Sequence, residues 1–313
     1  MAQSVKGKTA IVTGAGSGIN MCFVQLLLRN GCNCLLADLA LRPEAQATVD
    51  QYSTSSPRAV FLKTDVTDWA QLEKMFEVAE KEFGQIDIVC PGAGVYEPPF
   101  SNFWHPPGSP ESRDSPSASR YGVLDINLTH PIRTTQLAIA RFASSETPKT
   151  IVHISSIAGQ CPFLVTPMYV ATKHAISGFV RSLAKLDTIG IRVTAVAPGI
   201  VKTPLWTENP EKMEFINESK DEWVTPDEVA EVMLALVERD QVNENMLLSN
   251  PKEPGQTIPI QGGAVLEVSK TVRMVSPFND PGPFGRSGNL LVDSGETEEN
   301  LLRRVQSGGL GKQ

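Results

Sequence analysis

A glycine-rich turn, Thr13-Gly14-Ala15-Gly16-Ser17-Gly18, joins a short β-branched apolar run, Thr9 to Thr13 (TAIVT), to a segment of helical period, Asn20 to Asn30. In that segment Phe23, Val24, Leu27 and Leu28 fall on one face, and Gly31 provides a stop. Strand, glycine turn and helix in this order open a βαβ unit. Backbone bare of side chains can there approach a pyrophosphate, and the helix N-terminus faces its charge. Tight turns also use glycine for conformational reasons alone, so the placement carries more weight than the pattern.

The alternation continues along the chain. Cys34 to Ala37 (CLLA), Ala59 to Lys63, Ile86 to Cys90 (IDIVC), Thr150 to Ser155 (TIVHIS), Ile191 to Ala197 (IRVTAVA) and Val265 to Val268 read as strands. Trp69 to Phe83, with Asp68 as N-cap, reads as a helix, as do Tyr121 to Phe142 and Pro167 to about Leu186. Thr225 to Glu238 is a further helix, capped by Thr225 with Pro226 at its first position. This predicts an α/β fold: a doubly wound, Rossmann-type parallel sheet of about seven strands, flanked by helices on both faces and followed by a C-terminal extension. Residues 1–274 are expected to form one catalytic domain. Two segments interrupt it. Residues 97–120 carry six prolines and no regular period and read as a surface insertion; residues 204–223 read as a substrate loop. Residues 275–313 turn to Pro, Gly, Ser and charge, as expected of a tail that is mobile or wraps a neighbour.

Composition narrows the partners. A net charge of −7 offers no basic stripe to phosphates, which argues against nucleic acid and against an anionic membrane. No run approaches the ~20 apolar residues of a membrane span, and the polar start Met1 to Lys6 lacks an apolar signal region, so a cytoplasmic location is expected. The cysteines at 22, 32, 34, 90 and 161 form no CxxC pair, which favours thiols in a reducing compartment over disulfides or metal.

Asp38 closes the second strand twenty residues after Gly18, where a carboxylate can accept both hydroxyls of an adenosine ribose and repel a 2′-phosphate. NAD is therefore expected over NADP, although Arg42 keeps NADP open. Asp65 and Val66, after the third strand, are candidates for the adenine. Tyr169 and Lys173 lie four apart in a helical segment and share a face. A phenol near pKa 10 becomes a usable base when an ammonium and a positive nicotinamide favour the phenolate. Ser156, thirteen residues before the tyrosine, can hydrogen-bond a substrate oxygen.

These motifs, in this order from about Gly7 to Val268, resemble the short-chain dehydrogenase/reductase family, and the residues around Ser156 and Tyr169 resemble its NAD-dependent prostaglandin-dehydrogenase-like branch. The matching features are Thr13-Gly14 with Gly18, Asp65-Val66, Ala93-Gly94, the Ser156, Tyr169 and Lys173 set, and Pro198-Gly199 followed by Thr203. The resemblance implies that Tyr169 is the acid/base and that Lys173 holds the nicotinamide ribose. It also implies that Ser156 steadies the substrate, that Asn127 holds a water beside the lysine, and that Ile200 and Thr203 grip the carboxamide. Ser17 and Ile19 belong to the same phosphate turn.

Two departures stand out. Asn20 occupies the place of the third glycine, where a side chain crowds the turn and could reach a phosphate, and Pro91-Gly92 replaces two asparagines, so a sheet-bracing amide is missing. Phe163, Met168, Leu205 and Trp206 are expected to line the substrate side. The reading is hydride transfer between NAD and a secondary alcohol or ketone, with an apolar, lipid-like or secondary-metabolite substrate. An NADPH-dependent ketone reductase and a cofactor-binding protein without turnover are the alternatives. By resemblance, the helices Tyr121 to Phe142 and Pro167 to Leu186 imply a homodimer or homotetramer.

Overall fold

The computed structural model describes residues 3–143, 145–204, 208, 222–249, 253–277 and 295–307. Its strands are β1 (Thr9–Thr13), β2 (Asn33–Asp38), β3 (Ala59–Lys63), β4 (Ile88–Cys90), β5 (Lys149–Ile154), β6 (Ile191–Pro198), β7 (Gln241–Asn243), β8 (Thr257–Pro259), β9 (Val265–Val268) and β10 (Val272–Met274). The helices are α1 (Gly18–Arg29), α2 (Pro43–Gln51), α3 (Trp69–Phe83), α4 (Gly122–Leu124), α5 (His130–Phe142), α6 (Pro167–Ser182), α7 (Pro226–Glu238) and α8 (Gly295–Gln306). The main sheet runs β10-β9-β6-β5-β4-β1-β2-β3, parallel except for the edge strand β10, and β7 pairs with β8 in a separate hairpin. It thus has eight strands where seven are expected, because β10 is too short to stand out from its surroundings.

Strand alternation builds a core on each face. Ala10 and Val12 of β1 pack with Phe23 and Leu27 of α1 and Met233 and Leu236 of α7. Ile11 points the other way, into a cluster with Phe76 of α3, Phe142 of α5 and Val180 of α6. Because both faces are covered, the strands read as continuous apolar runs. Caps fix the helix starts: Asp68 accepts from the Ala70 and Gln71 amides, and Thr225 with Glu228 forms a reciprocal capping box.

Several boundaries move. Between Gly122 and Phe142 the helix is interrupted by a π-turn at Asp125–Thr129, and α6 stops at Ser182, followed by a 3-10 segment at Ala184–Ile189. The 97–120 insertion is rooted in the interior, since Glu97 and Ser101 are both buried. The Ser101 hydroxyl donates to Asp114 and accepts from the Val123 amide at 2.9 Å, and Asp114 accepts from the Gly122 amide, tying the insertion to the start of α4. In the C-terminal extension α8 docks on the Ala184–Ile189 segment of its own chain, burying Val305 and pairing Lys185 with Glu298. No helix among the described residues is long and apolar enough to cross a membrane.

One buried ion pair holds the N-terminal ends of three strands. Lys149 donates to Asp87 Oδ1 at 2.8 Å and to the Ile86 carbonyl at 2.9 Å, while Asp87 Oδ2 accepts from the Thr9 amide at 3.0 Å. Burial pulls Lys149 down from its usual value and Asp87 opposes that pull. Breaking one partner strands the other charge in the interior. Asp87→Ala is therefore expected to cost about 3–5 kcal/mol, measured as a fall in the urea unfolding midpoint with unchanged slope.

Candidate active site

The C-terminal ends of the parallel strands surround a cleft of about 380 Å³. It lies where the chain order reverses, between β1 and β4, the position at which open α/β sheets bind ligands. Gly14 opens its floor. Its φ is +69°, and a Cβ there would stand 2.6 Å from the Ala93 Cα, so both the conformation and the close approach of two turns require glycine.

Three segments meet beneath this floor. The Ala93 amide donates to Thr13 Oγ1 at 3.2 Å, and Thr13 Oγ1 lies 3.0 Å from His130 Nε2. His130 Nδ1 lies 3.0 Å from the Ile126 carbonyl. A carbonyl can only accept, so Nδ1 carries the proton and Nε2 accepts from the threonine. Burial pushes His130 down to about 4, which keeps the imidazole neutral in this chain of bonds.

At the far wall Asp38 Oδ2 accepts from the Gly16 amide and Oδ1 from the Leu39 amide, both at 2.7 Å. Each oxygen retains a lone pair, enough for a diol. Arg42 forms a two-pronged pair with Glu208. Asp65 accepts from the amide and hydroxyl of Thr67, and its own amide donates to Gln71.

At the near wall Lys173 donates to the Ile154 carbonyl at 2.9 Å, and its Nζ lies 5.4 Å from the centre of the Tyr169 ring. Burial pulls Lys173 down to about 8. Burial likewise pushes Tyr169 up to about 12, only partly offset by a hydrogen bond from Ser156. The lysine thus shares a wall with the phenol, but desolvation dominates the tyrosine in the free protein. Ser156 Oγ also accepts from the Ala158 amide at 3.2 Å. Asn127, inside the π-turn, clasps Val95 by both backbone groups, each at 2.8 Å.

Gly14, Ser17, Gly18, Ile19, Asn20, Asp38, Asp65, Val66, Ala93, Gly94, Ser156, Tyr169, Lys173, Pro198, Gly199 and Thr203 all line the cleft. Asn127, which is buried, and Ile200, which is partly exposed, do not line it. Phe163 is exposed and Met168 buried, neither on the wall, while Leu205 and Trp206 lie outside the described residues. The cleft adds Leu39, Thr64, Ile126, Ile154 and Ser155, several of them simply the last residues of parallel strands or their immediate successors.

The sequence profile of the short chain dehydrogenase family matches residues 8–214. The chain belongs to this family. Among its relatives, 15-hydroxyprostaglandin dehydrogenase [NAD(+)] of Rattus norvegicus is 31% identical over 257 residues, covering 76% of this chain and 89% of that protein. Diacetyl reductase [(S)-acetoin forming] of Staphylococcus epidermidis is 31% identical over 216 residues, covering 68% and 78%. Among solved structures, 3-ketoacyl-(acyl-carrier-protein) reductase from Brucella melitensis complexed with NADH superposes with a TM-score of 0.62 at 24% identity, covering 74% of this chain and 91% of that one. The short-chain dehydrogenases are oxidoreductases, and this chain shares their fold and resembles the hydroxyprostaglandin branch.

The two departures from the pattern of this dehydrogenase family turn out to be one feature. Asn20 Nδ2 donates to the Gly92 carbonyl at 2.9 Å and to the Gly14 carbonyl at 3.2 Å, while Cys90 Sγ lies 3.9 Å from Asn20 Oδ1. The amide is thus turned toward the sheet and occupied with two carbonyls. It also fills the space that any side chain at 92 would need, since a Cβ on Gly92 would fall 2.3 Å from Asn20 Oδ1. The bracing amide absent from the β4 turn is supplied from α1. Asn20→Gly should cost about 1–3 kcal/mol through the two unpaired carbonyls, and Gly92→Asn alone should also destabilise by collision. The double variant should recover most of the loss, and a thermal-melt mutant cycle showing simple additivity would refute the exchange.

Proposed function

We propose that this short-chain dehydrogenase interconverts a secondary alcohol and its ketone with NAD, using Tyr169 to move the proton on the substrate oxygen. The observation that carries the reading is the meeting of Ser156, Tyr169 and Lys173 on one wall of a cleft whose opposite wall presents Asp38 and the glycine turn. The cleft suits a dinucleotide: side-chain bulk is excluded at Gly14, and the Asp38 carboxylate keeps free lone pairs at the adenosine-ribose end. Gly14, Ser17, Gly18 and Ile19 would hold the pyrophosphate, Asp65 and Val66 the adenine, and Pro198, Gly199 and Thr203 the nicotinamide side. NAD held there would supply the hydride acceptor, or in reduced form its donor, and in oxidised form a positive charge that favours the phenolate.

The protein's own groups handle the proton. With Tyr169 raised to about 12, the buried phenol is protonated in the free protein and ready to donate to a carbonyl oxygen. Alcohol oxidation needs the phenolate, which the Lys173 ammonium stabilises while it remains charged, below about pH 8. The Ile154 carbonyl fixes that ammonium, and Ser156 orients the substrate oxygen. NAD is preferred to NADP because Asp38 would repel a 2′-phosphate and Arg42 is engaged by Glu208. The NAD(+) in the names of the hydroxyprostaglandin dehydrogenase relatives supports the same choice. Phe163, Leu164 and Val165 lie exposed outside the cleft wall, on the loop entering α6 a few residues before Tyr169, where they would offer apolar surface to a substrate that extends beyond the cleft.

Turnover is followed by the near-ultraviolet absorbance of reduced nicotinamide with a panel of secondary alcohols. Tyr169→Phe should lower kcat by about 10²–10⁴-fold with nucleotide still bound, and retained activity would refute the role. Oxidation should rise with pH as the phenol ionises, and Lys173→Met should displace that rise to higher pH; an unmoved profile would remove the lysine from the mechanism. Tighter binding of NADP⁺ than of NAD⁺ in parallel titrations would overturn the Asp38 reading.

A further inference from the structure

Glu97 is an acidic residue with almost no access to water: it is 4% exposed, at the root of the 97–120 insertion. Its backbone is left-handed, with φ +30°, a conformation that residues other than glycine and asparagine seldom adopt. A buried carboxylate needs partners, and its two oxygens serve different parts of the chain. Oε2 accepts from the Tyr169 amide at 2.9 Å, and Oε1 accepts from the Phe103 amide at 3.0 Å.

Tyr169 is the third residue of α6, so its amide is one of the donors a helix leaves unpaired at its start. Thr166, at the N-cap position, makes no side-chain capping bond, and Glu97 reaches across from another segment to take that place. The preceding residue, Tyr96, packs edge-on against the Tyr169 ring at 4.7 Å. The insertion is pinned a second time where Trp104 Nε1 donates to the Leu164 carbonyl at 3.0 Å, on the loop that leads into α6. Phe103 stacks edge-on against Trp104 at 5.0 Å, and both are more than half exposed.

We infer that Glu97 is a positioning residue: one carboxylate locks the backbone of Tyr169 and the aromatic corner of the insertion to each other, so that the insertion sets the placement of the phenol. A change in the insertion is transmitted to Tyr169 through this bond rather than through the glycine turn or Asp38. The inference rests on the proposed role of Tyr169 for its kinetic consequence and on geometry alone for the lock itself.

The test uses the full chain with Glu97→Gln, in which an amide nitrogen faces one of the two N–H donors, and Glu97→Asp, whose shorter stem can reach only one of them. Amide hydrogen exchange should quicken at one of Tyr169 and Phe103 in each variant, since glutamine keeps a single acceptor oxygen and aspartate reaches a single donor. Nucleotide affinity and substrate KM should hold at wild-type values, while kcat falls by about tenfold to a hundredfold as the phenol loses its alignment. Wild-type exchange at both Tyr169 and Phe103 in both variants would overturn the lock. Quickened exchange with wild-type kcat would overturn the positioning role. If Glu97→Gln fails to fold, Glu97→Asp decides by the same two readouts. A wild-type protein that binds NAD⁺ and oxidises no alcohol would instead defeat the proposed function, with the exchange arm still deciding the lock.

Discussion

The threonine hydroxyl at the end of β1 is the joint on which the site depends. It accepts from the turn after β4 and donates to a buried, neutral imidazole that is itself anchored to the π-turn, so three segments distant in sequence share one small polar knot. A hydroxyl can accept and donate at once, which no apolar residue of that size could do. The imidazole must stay uncharged to accept, and burial ensures it. The cleft's floor, its near wall and the clasp of Asn127 on Val95 are registered through this knot, and the strands beneath supply rigidity through cores on both faces.

Polar groups elsewhere follow the same economy. Asn20 serves two carbonyls from a helix position where the family pattern has glycine, and Asp87 serves a lysine and a strand amide at the other end of the sheet. Thr13, Asn20 and Asp87 each take partners from segments distant in sequence. The site is therefore a property of the assembled sheet rather than of any loop.

That division explains what the sequence made legible. Runs such as TAIVT and IRVTAVA declare parallel strands because both faces are buried, and β3, β9, α3 and α7 fall where periodicity and caps put them. The Tyr169 and Lys173 spacing places both on one helix face in a single step of reasoning. Pro43–Gln51 is harder to read, since only Ala45 and Thr48 of that helix are buried. The π-turn leaves no periodic mark. Glu97 was legible only as one acid in a proline-rich stretch, because its meaning comes from an amide 72 residues away. For Asn20 the crowding was foreseeable, but its direction was not: the approach of Gly92 decides that the amide points to the sheet.

The carboxylate of Asp38 is held by two backbone amides at 2.7 Å. Its torsions are fixed by bonds within the protein, so recognition there carries little ordering entropy. On the proposed reading, discrimination between two nucleotides that differ by one phosphate would then rest on a rigid electrostatic field rather than on a movement, and it should persist in nucleotide fragments that carry only the adenosine half.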